Sequence, residues 1–409
     1  MNMEPQRLAE EGAVSSTAIV PPVEERQKTA ERIHYLDNLR AVAMMLGVLL
    51  HAALAYAEPA RSIWFATDRV GSVVIDAGIW FVHLFRMSLF FLLSGYFAKL
   101  TVTKKGVKSF LRGRLLRIAL PFVIFYPFLV AALTIVVVFA LNYLKEPEGI
   151  IGLIARASQS AEAPKGQASY TTMHMWFLYY LMMFALLASW LPNLRTLETG
   201  WLLEYPIFWL LLPWLLVPAV LIAGVPLPAP ESFIPTVWPF MFYGTFFWLG
   251  WQLFGKENLI ARLHPWRWYL ALGCSLVFIP YYMLLPKLEL ALFEKEIPKY
   301  PLWQQLSSAA LTGYLSLGLT LTAIVLGQRY LASRKAWLGL FADASYWVYL
   351  VHLPLVLGLQ TLLIPLAISI WLKLAIVIVS TLIVTMATYL VFVRYTPIGW
   401  MLHGKRNFP

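Results

Sequence analysis

Charge is scarce in this chain. Only 13% of its 409 residues are Asp, Glu, Lys or Arg, about half the share of an ordinary soluble domain, and that excludes an ordinary soluble globular protein. There is one cysteine, Cys274, inside an apolar run; no intramolecular disulfide can form, and the redox compartment cannot be read from it. No two histidines stand four apart as in a zinc-binding His-x-x-x-His pair, and no glutamate stands beside the intramembrane ones, so no metal is expected. No Gly-x-Ser-x-Gly elbow occurs to hold a nucleophilic serine. No basic, aromatic-interleaved surface points to nucleic acid. Residues 1–33 lack the apolar core of a signal peptide and are expected to form a disordered cytoplasmic tail, the first apolar run serving as the insertion signal.

Apolar and aromatic side chains fill the space that charge leaves, 60% and 15% of the residues. They gather into ten runs long enough for the ~20 residues a bilayer demands: 39–57, 79–98, 118–143, 174–192, 205–224, 234–254, 267–286, 306–331, 338–364 and 366–392. Pro127, Pro213, Pro218, Pro239, Pro280 and Pro354 fall inside runs, where neighbouring helices can satisfy the freed backbone groups. The expected fold is all-α, a polytopic transmembrane helical bundle of about ten spans over 34–400, with a short cytoplasmic tail at 401–409.

Loop charge orients that bundle. The connection 99–117 carries Lys99, Lys104, Lys105, Lys108, Arg112, Arg114 and Arg117 without an acid, whereas 58–78, 144–173 and 287–303 balance bases with acids. Basic loops stay in the cytoplasm. Both termini are therefore expected inside, and the net charge of +11 reflects this bias and attraction to the lipid bilayer's anionic headgroups.

The polar residues inside the runs carry the chemistry. Arg40 and His51 stand at the two ends of the first, about 16 Å apart along a helix axis at ~1.5 Å per residue. The second holds His83 and Arg86 on one helix face. His174 opens the fourth beside Trp176, and the ninth holds Asp343, Ser345 and His352. Ionisable groups at such depth mark function by default. His51, His83, His174 and His352 all fall in the external half of the bundle. Each also has a plainer use: His174 as an interface anchor, His352 as the cap of a kink at Pro354, Arg86 as the partner of a buried acid such as Asp76 or Asp343. At the opposite side, Arg112, Arg114 and Arg117 precede the third run. Arg114 and Arg117 at i and i+3 would project two planar forks suited to phosphate.

Five strings in order resemble the acyltransferase 3 family of integral membrane acyltransferases: Tyr35-Leu36-Asp37-Asn38-Leu39-Arg40-Ala41 with His51 beyond, Phe90-Phe91-Leu92-Leu93-Ser94-Gly95-Tyr96-Phe97, Arg114-x-x-Arg117, His174-Met175-Trp176-Phe177-Leu178 and Ser345-Tyr346-Trp347-Val348-Tyr349-Leu350-Val351-His352-x-Pro354. The likeness spans about 33–400. It implies a bacterial inner-membrane enzyme that moves an acyl group, acetyl or succinyl, from cytoplasmic acyl-CoA (acetyl-CoA or succinyl-CoA as donor co-substrate) to a hydroxyl of an extracytoplasmic glucan or other polysaccharide acceptor. By the family motifs His51 would be the catalytic histidine, Arg40 its partner, and Arg114 with Arg117 the second arginine motif.

On chemical grounds Arg112, Arg114 and Arg117 would hold the donor's phosphates. His83, Arg86 or His352 would hold a developing oxyanion, and His174, Trp176, Asp343 and Ser345 would line the substrate site. His51 would act as general base or carry the acyl group itself. Many family members carry a fused extracytoplasmic hydrolase-like domain that this chain lacks, so acceptor choice is expected to reside in the bundle, in loops 144–173 and 287–303, or in an envelope-glycan synthesis partner; a homo-oligomer is compatible. The same intramembrane His, Arg and Asp would also suit a proton-coupled exporter of a saccharide or lipid-linked sugar, although the two halves show none of the mutual similarity common in transporters.

Overall fold

The computed structural model describes residues 23–58, 63–159, 171–190, 199–286, 300–333 and 336–403. Residues 1–22 of the expected tail, 160–170 of the external loop 144–173 and 287–299 of the loop 287–303 lie outside them. Helices dominate: α1 Val23–Ala53, α2 Val73–Arg114, α3 Leu120–Tyr143, α4 Gly149–Gln159, α5 Trp176–Trp190, α6 Pro206–Ala223, α7 Val237–Leu253, α8 Glu257–Ala261, α9 Arg267–Leu284, α10 Leu302–Tyr330, α11 Ala336–Leu363, α12 Ile370–Thr388 and α13 Pro397–His403. Among the described residues, β-pairing is confined to two isolated bridges. An apolar environment explains this, because a helix satisfies its backbone within one segment.

Seven helices among the described residues are long and apolar enough to cross a membrane. The ten expected runs differ from these seven for two physical reasons. Runs two and three belong to one continuous helical stretch, Val73–Tyr143, interrupted at Gly106, whose φ of +75° is non-helical and open to glycine at little cost. The stretch doubles back there. Ser72, just before it, donates to Tyr56, and just beyond it Ile150 and Ile151 donate to Trp64 and Phe65, so both its ends return to one side of the bundle. Runs six and seven form α7 and α9, which are shorter or richer in polar and aromatic residues and fall outside the seven.

Small residues set the tightest crossing. A Cβ on Gly95 of α2 would strike the carbonyl of Phe247 on α7, and one on Gly250 would strike the carbonyl of Leu92. The two glycines thus let α2 and α7 meet backbone to backbone. Around this crossing Phe91, Trp176, Phe177, Phe184 and Tyr243 pack ring against ring. α1 lies against α2, α10 and α11, which brings its polar residues to the middle of the bundle.

Non-helical backbone also reaches the interior. Thr172 is fully buried, and both its amide and its hydroxyl donate to the Glu231 carbonyl. Tyr126 donates to the Thr171 carbonyl at 2.9 Å and Tyr179 to that of Phe233 at 2.7 Å. These side chains replace the hydrogen bonds that a helix would supply, which is the condition for irregular backbone at membrane depth.

Candidate active site

Two polar clusters meet α1, one at its middle and one near its C-terminal end. His51 lies two residues before α1 gives way to the tighter turn Leu54–Tyr56. Its Nδ1 is 2.9 Å from Nε2 of His352 on α11, and the two imidazoles are nearly coplanar, 25° apart. His352 is buried, and its Nδ1 faces two carbonyl oxygens, Tyr349 at 2.8 Å and Val348 at 3.0 Å. A carbonyl only accepts, so Nδ1 of His352 carries a proton. In a neutral His352, Nε2 is then the acceptor, and the proton of the shared bond belongs to Nδ1 of His51. The remaining lone pair of His51 is on Nε2, where a general base needs it.

The other intramembrane histidines surround this pair. His174 meets His352 edge to face at 5.3 Å. Its Nε2 donates to the Tyr349 carbonyl at 3.1 Å, while the Tyr349 hydroxyl donates back to the His174 carbonyl at 2.7 Å. His83 donates through Nε2 to the Leu227 carbonyl at 2.9 Å and lies edge-on to Trp80. Arg86, His83, His174 and His352 are all within electrostatic reach of His51.

Arg86 has neither of the acids expected of it. Asp76 accepts instead from the Tyr282 hydroxyl at 2.8 Å, and Arg86 makes no hydrogen bond among the described residues, its Nε buried without a partner. Its guanidinium lies on Gly47, one helical turn before His51. An uncompensated cation beside a base is costly to the fold, and it is a ready counter-charge for an anion formed there.

Arg40 belongs to the other cluster. It pairs with Asp37 at 3.2 Å and its guanidinium lies over the Phe97 ring, pointing away from the histidines. Arg114 lies over Phe110, with Arg40 and Arg117 in electrostatic reach. The segment Leu115–Ala119, which follows Arg114 and contains Arg117, is a π-helical turn, a feature frequent at functional sites. Its wider turn breaks the shared face that i, i+3 spacing gives in an α-helix. Arg114 is therefore half-buried, whereas Arg112 and Arg117 are exposed. Asp343 is within electrostatic reach of Asp37 in this cluster, not near His51.

Two residues expected to line the substrate site sit in packed surroundings. Trp176 is buried among Phe91, Tyr180 and Tyr243. Ser345, also buried, donates to the Ala342 carbonyl of its own helix at 2.8 Å. Among the described residues no group of three or more His, Cys, Asp or Glu side chains is arranged to hold a metal.

A family model for the acyltransferase 3 domain matches residues 33–390. The chain belongs to the acyltransferase 3 family. It is 26% identical over 353 residues to glucans biosynthesis protein C of Salmonella gallinarum, covering 80% of this chain and 83% of that protein. It is 24% identical over 389 residues to the protein of the same name from Escherichia coli K12, covering 92% and 95%. No solved structure matches. As an acyltransferase 3 domain, 33–390 contains both clusters entire. It also contains three residues in the histidine cluster not singled out from the sequence: Tyr349 at His174 and His352, and Trp64 and Gln360 at His51. Gln360 carried a usable signal, an amide inside an apolar run; Trp64, in a connection, carried none.

Proposed function

We propose that the protein is an O-acyltransferase of a bacterial inner membrane, with both termini cytoplasmic and ten crossings. It takes an acetyl or succinyl group from acyl-CoA at the arginine cluster beside the middle of α1 and delivers it to a hydroxyl of a glucan or other polysaccharide at the histidine cluster near the helix's C-terminal end. The names of the two relatives support a glucan as the acceptor class. The observation that carries the reading is the His51–His352 bond, because its polarity leaves Nε2 of His51 as an open base.

In the direct form of the reaction, Nε2 of His51 takes the proton of the acceptor hydroxyl as its oxygen attacks the thioester carbon. The carbon–oxygen bond forms, the carbon–sulfur bond breaks, and the coenzyme leaves as a thiolate that recovers the proton. The imidazolium formed in between is steadied through Nδ1–H by His352, itself anchored on the Val348 and Tyr349 carbonyls. Arg86, unpaired and one turn away, suits the oxyanion or, with a succinyl donor, the free carboxylate. The phosphates fall to Arg114 and Arg117, joined by Arg40. The separation of about 16 Å between Arg40 and His51 along α1 is of the order an extended pantetheine arm covers.

The test is His51→Ala in purified protein with labelled acyl-CoA and a glucan acceptor. Acyl transfer should vanish while insertion and acyl-CoA binding persist. Near-normal transfer would remove His51 from the mechanism. A labelled acyl group trapped on wild type and absent from the variant would favour an acyl-histidine intermediate over base catalysis.

A further inference from the structure

The buried amide of Gln360 makes three hydrogen bonds, all at the base. Its side-chain nitrogen donates to the carbonyls of His51 at 3.0 Å and Ala52 at 2.9 Å. Its oxygen accepts from the indole N–H of Trp64 at 2.9 Å. The orientation is unambiguous, since an indole N–H only donates and a carbonyl only accepts. The side chain is wholly shielded from solvent.

The location has a physical reason. α1 ends at Ala53 and continues as the 3-10 turn Leu54–Tyr56, so the last carbonyls of the helix need partners outside it. Gln360, two turns beyond His352 on the same helix, supplies them for the residue that carries the base and for its neighbour. The third bond holds Trp64 so that its ring lies parallel to the His51 imidazole, 8° apart with centroids at 5.7 Å. The backbone of His51, one side of its ring and its Nδ1 are thus fixed by Gln360, Trp64 and His352.

We infer that Gln360 and Trp64 are positioning residues for the base. Together they hold the His51 ring where His352 can impose a single tautomer, with Nε2 left open to the acceptor hydroxyl. The inference rests on the acyl-transfer reading for its effect on rate, although its effect on the tautomer stands apart from any activity.

The experiment uses the full chain in bilayers. Gln360→Met keeps the length of the side chain and removes all three bonds. It should lower kcat roughly 10- to 100-fold, the scale of a misplaced catalytic group, with the KM for acyl-CoA within about twofold of wild type. Nitrogen-15 spectra of histidine-labelled protein, with the His51 signals assigned by their disappearance in His51→Gln, should show one Nδ1–H tautomer in wild type and a mixture in Gln360→Met. Trp64→Phe keeps the ring, removes only the N–H and serves where Gln360→Met does not fold; it should give a smaller drop in kcat, and none beyond that of Gln360→Met when the two are combined. A single unchanged tautomer with kcat within about twofold of wild type in both variants would overturn the inference. Acyl transfer that survives in His51→Gln would instead sink the acyl-transfer reading, and the spectra would still judge the brace.

Discussion

Nη1 of Arg86 lies where the side chain of residue 47 would begin: a Cβ on Gly47 would come within 2.6 Å of it. Glycine at this position lets a cation rest against α1 one turn from His51, and this sets up the first prediction. Gly47→Ala should leave stability unchanged or raise it by up to ~1 kcal/mol, since alanine favours the helix and a flexible side-chain end can move aside. Acyl transfer should nevertheless fall about tenfold as the guanidinium is displaced. Arg86→Met should cost little stability, because it breaks no ion pair, and should lower kcat roughly 10²-fold. Thermal unfolding and steady-state kinetics on the same preparations separate the two effects, and an Arg86→Met enzyme of normal rate would contradict them.

The arginine cluster bears on the donor. Arg114→Ala and Arg117→Ala should each weaken acyl-CoA binding by roughly 1–3 kcal/mol, the strength of one charge-assisted hydrogen bond to phosphate. The larger effect is expected at Arg114, which is half-buried beside Arg40, where charges are screened less. Equilibrium binding to purified protein measures this. Wild-type affinity in the double variant would remove the cluster from donor recognition.

A buried ion pair ties the connection after α1 to α12. Lys373 Nζ is 2.5 Å from Asp68, with the two side chains 3% and 7% exposed, and also donates to the Ile364 carbonyl. Removing one charge strands the other, so Asp68→Asn alone should destabilise by about 3–5 kcal/mol. Replacing both, Asp68→Asn with Lys373→Met, should recover most of that stability. Unfolding midpoints of the two single variants and the double variant form the cycle, and additive effects would show that the charges do not depend on each other.

Orientation is tested by labelling. Lys104, exposed near the Gly106 turn, is expected in the cytoplasm. Lys104→Cys in a chain with Cys274 replaced should therefore resist a membrane-impermeant thiol reagent in sealed cells and react once they are opened. A cysteine in 287–303 should react in both. Labelling of Lys104→Cys from outside would invert the topology and the inside-to-outside direction of transfer with it.

Much of this was legible in the residues because the bilayer enforces simple rules. An apolar run of sufficient length must be helical, which recovered the all-α fold and located every helix of the bundle core. The rarity of ionisable groups such as His51, His83, Arg86, His174 and His352 in apolar surroundings singles them out in the sequence. Their grouping was less legible. Among the described residues Arg86 meets neither Asp76 nor Asp343; Asp343 and Arg40 belong to the cluster at the middle of α1, away from His51; Trp176 packs among aromatic rings. Hydropathy gives depth along a helix but not the direction in which a side chain points around it, and these assignments turn on direction.

The sequence by itself determined the class of protein, the helices and the two places along α1 where charge collects. Those follow from local chemistry, the cost of leaving a peptide group or an ion without a partner in an apolar medium. Tertiary structure alone decided which nitrogen of His51 is open, because that depends on His352, some three hundred residues away, and on the carbonyls behind it. It also decided that Trp64 and Gln360 meet at the base. Contacts between distant segments arise from how helices pack, and packing is set by all the side chains at once rather than by any motif.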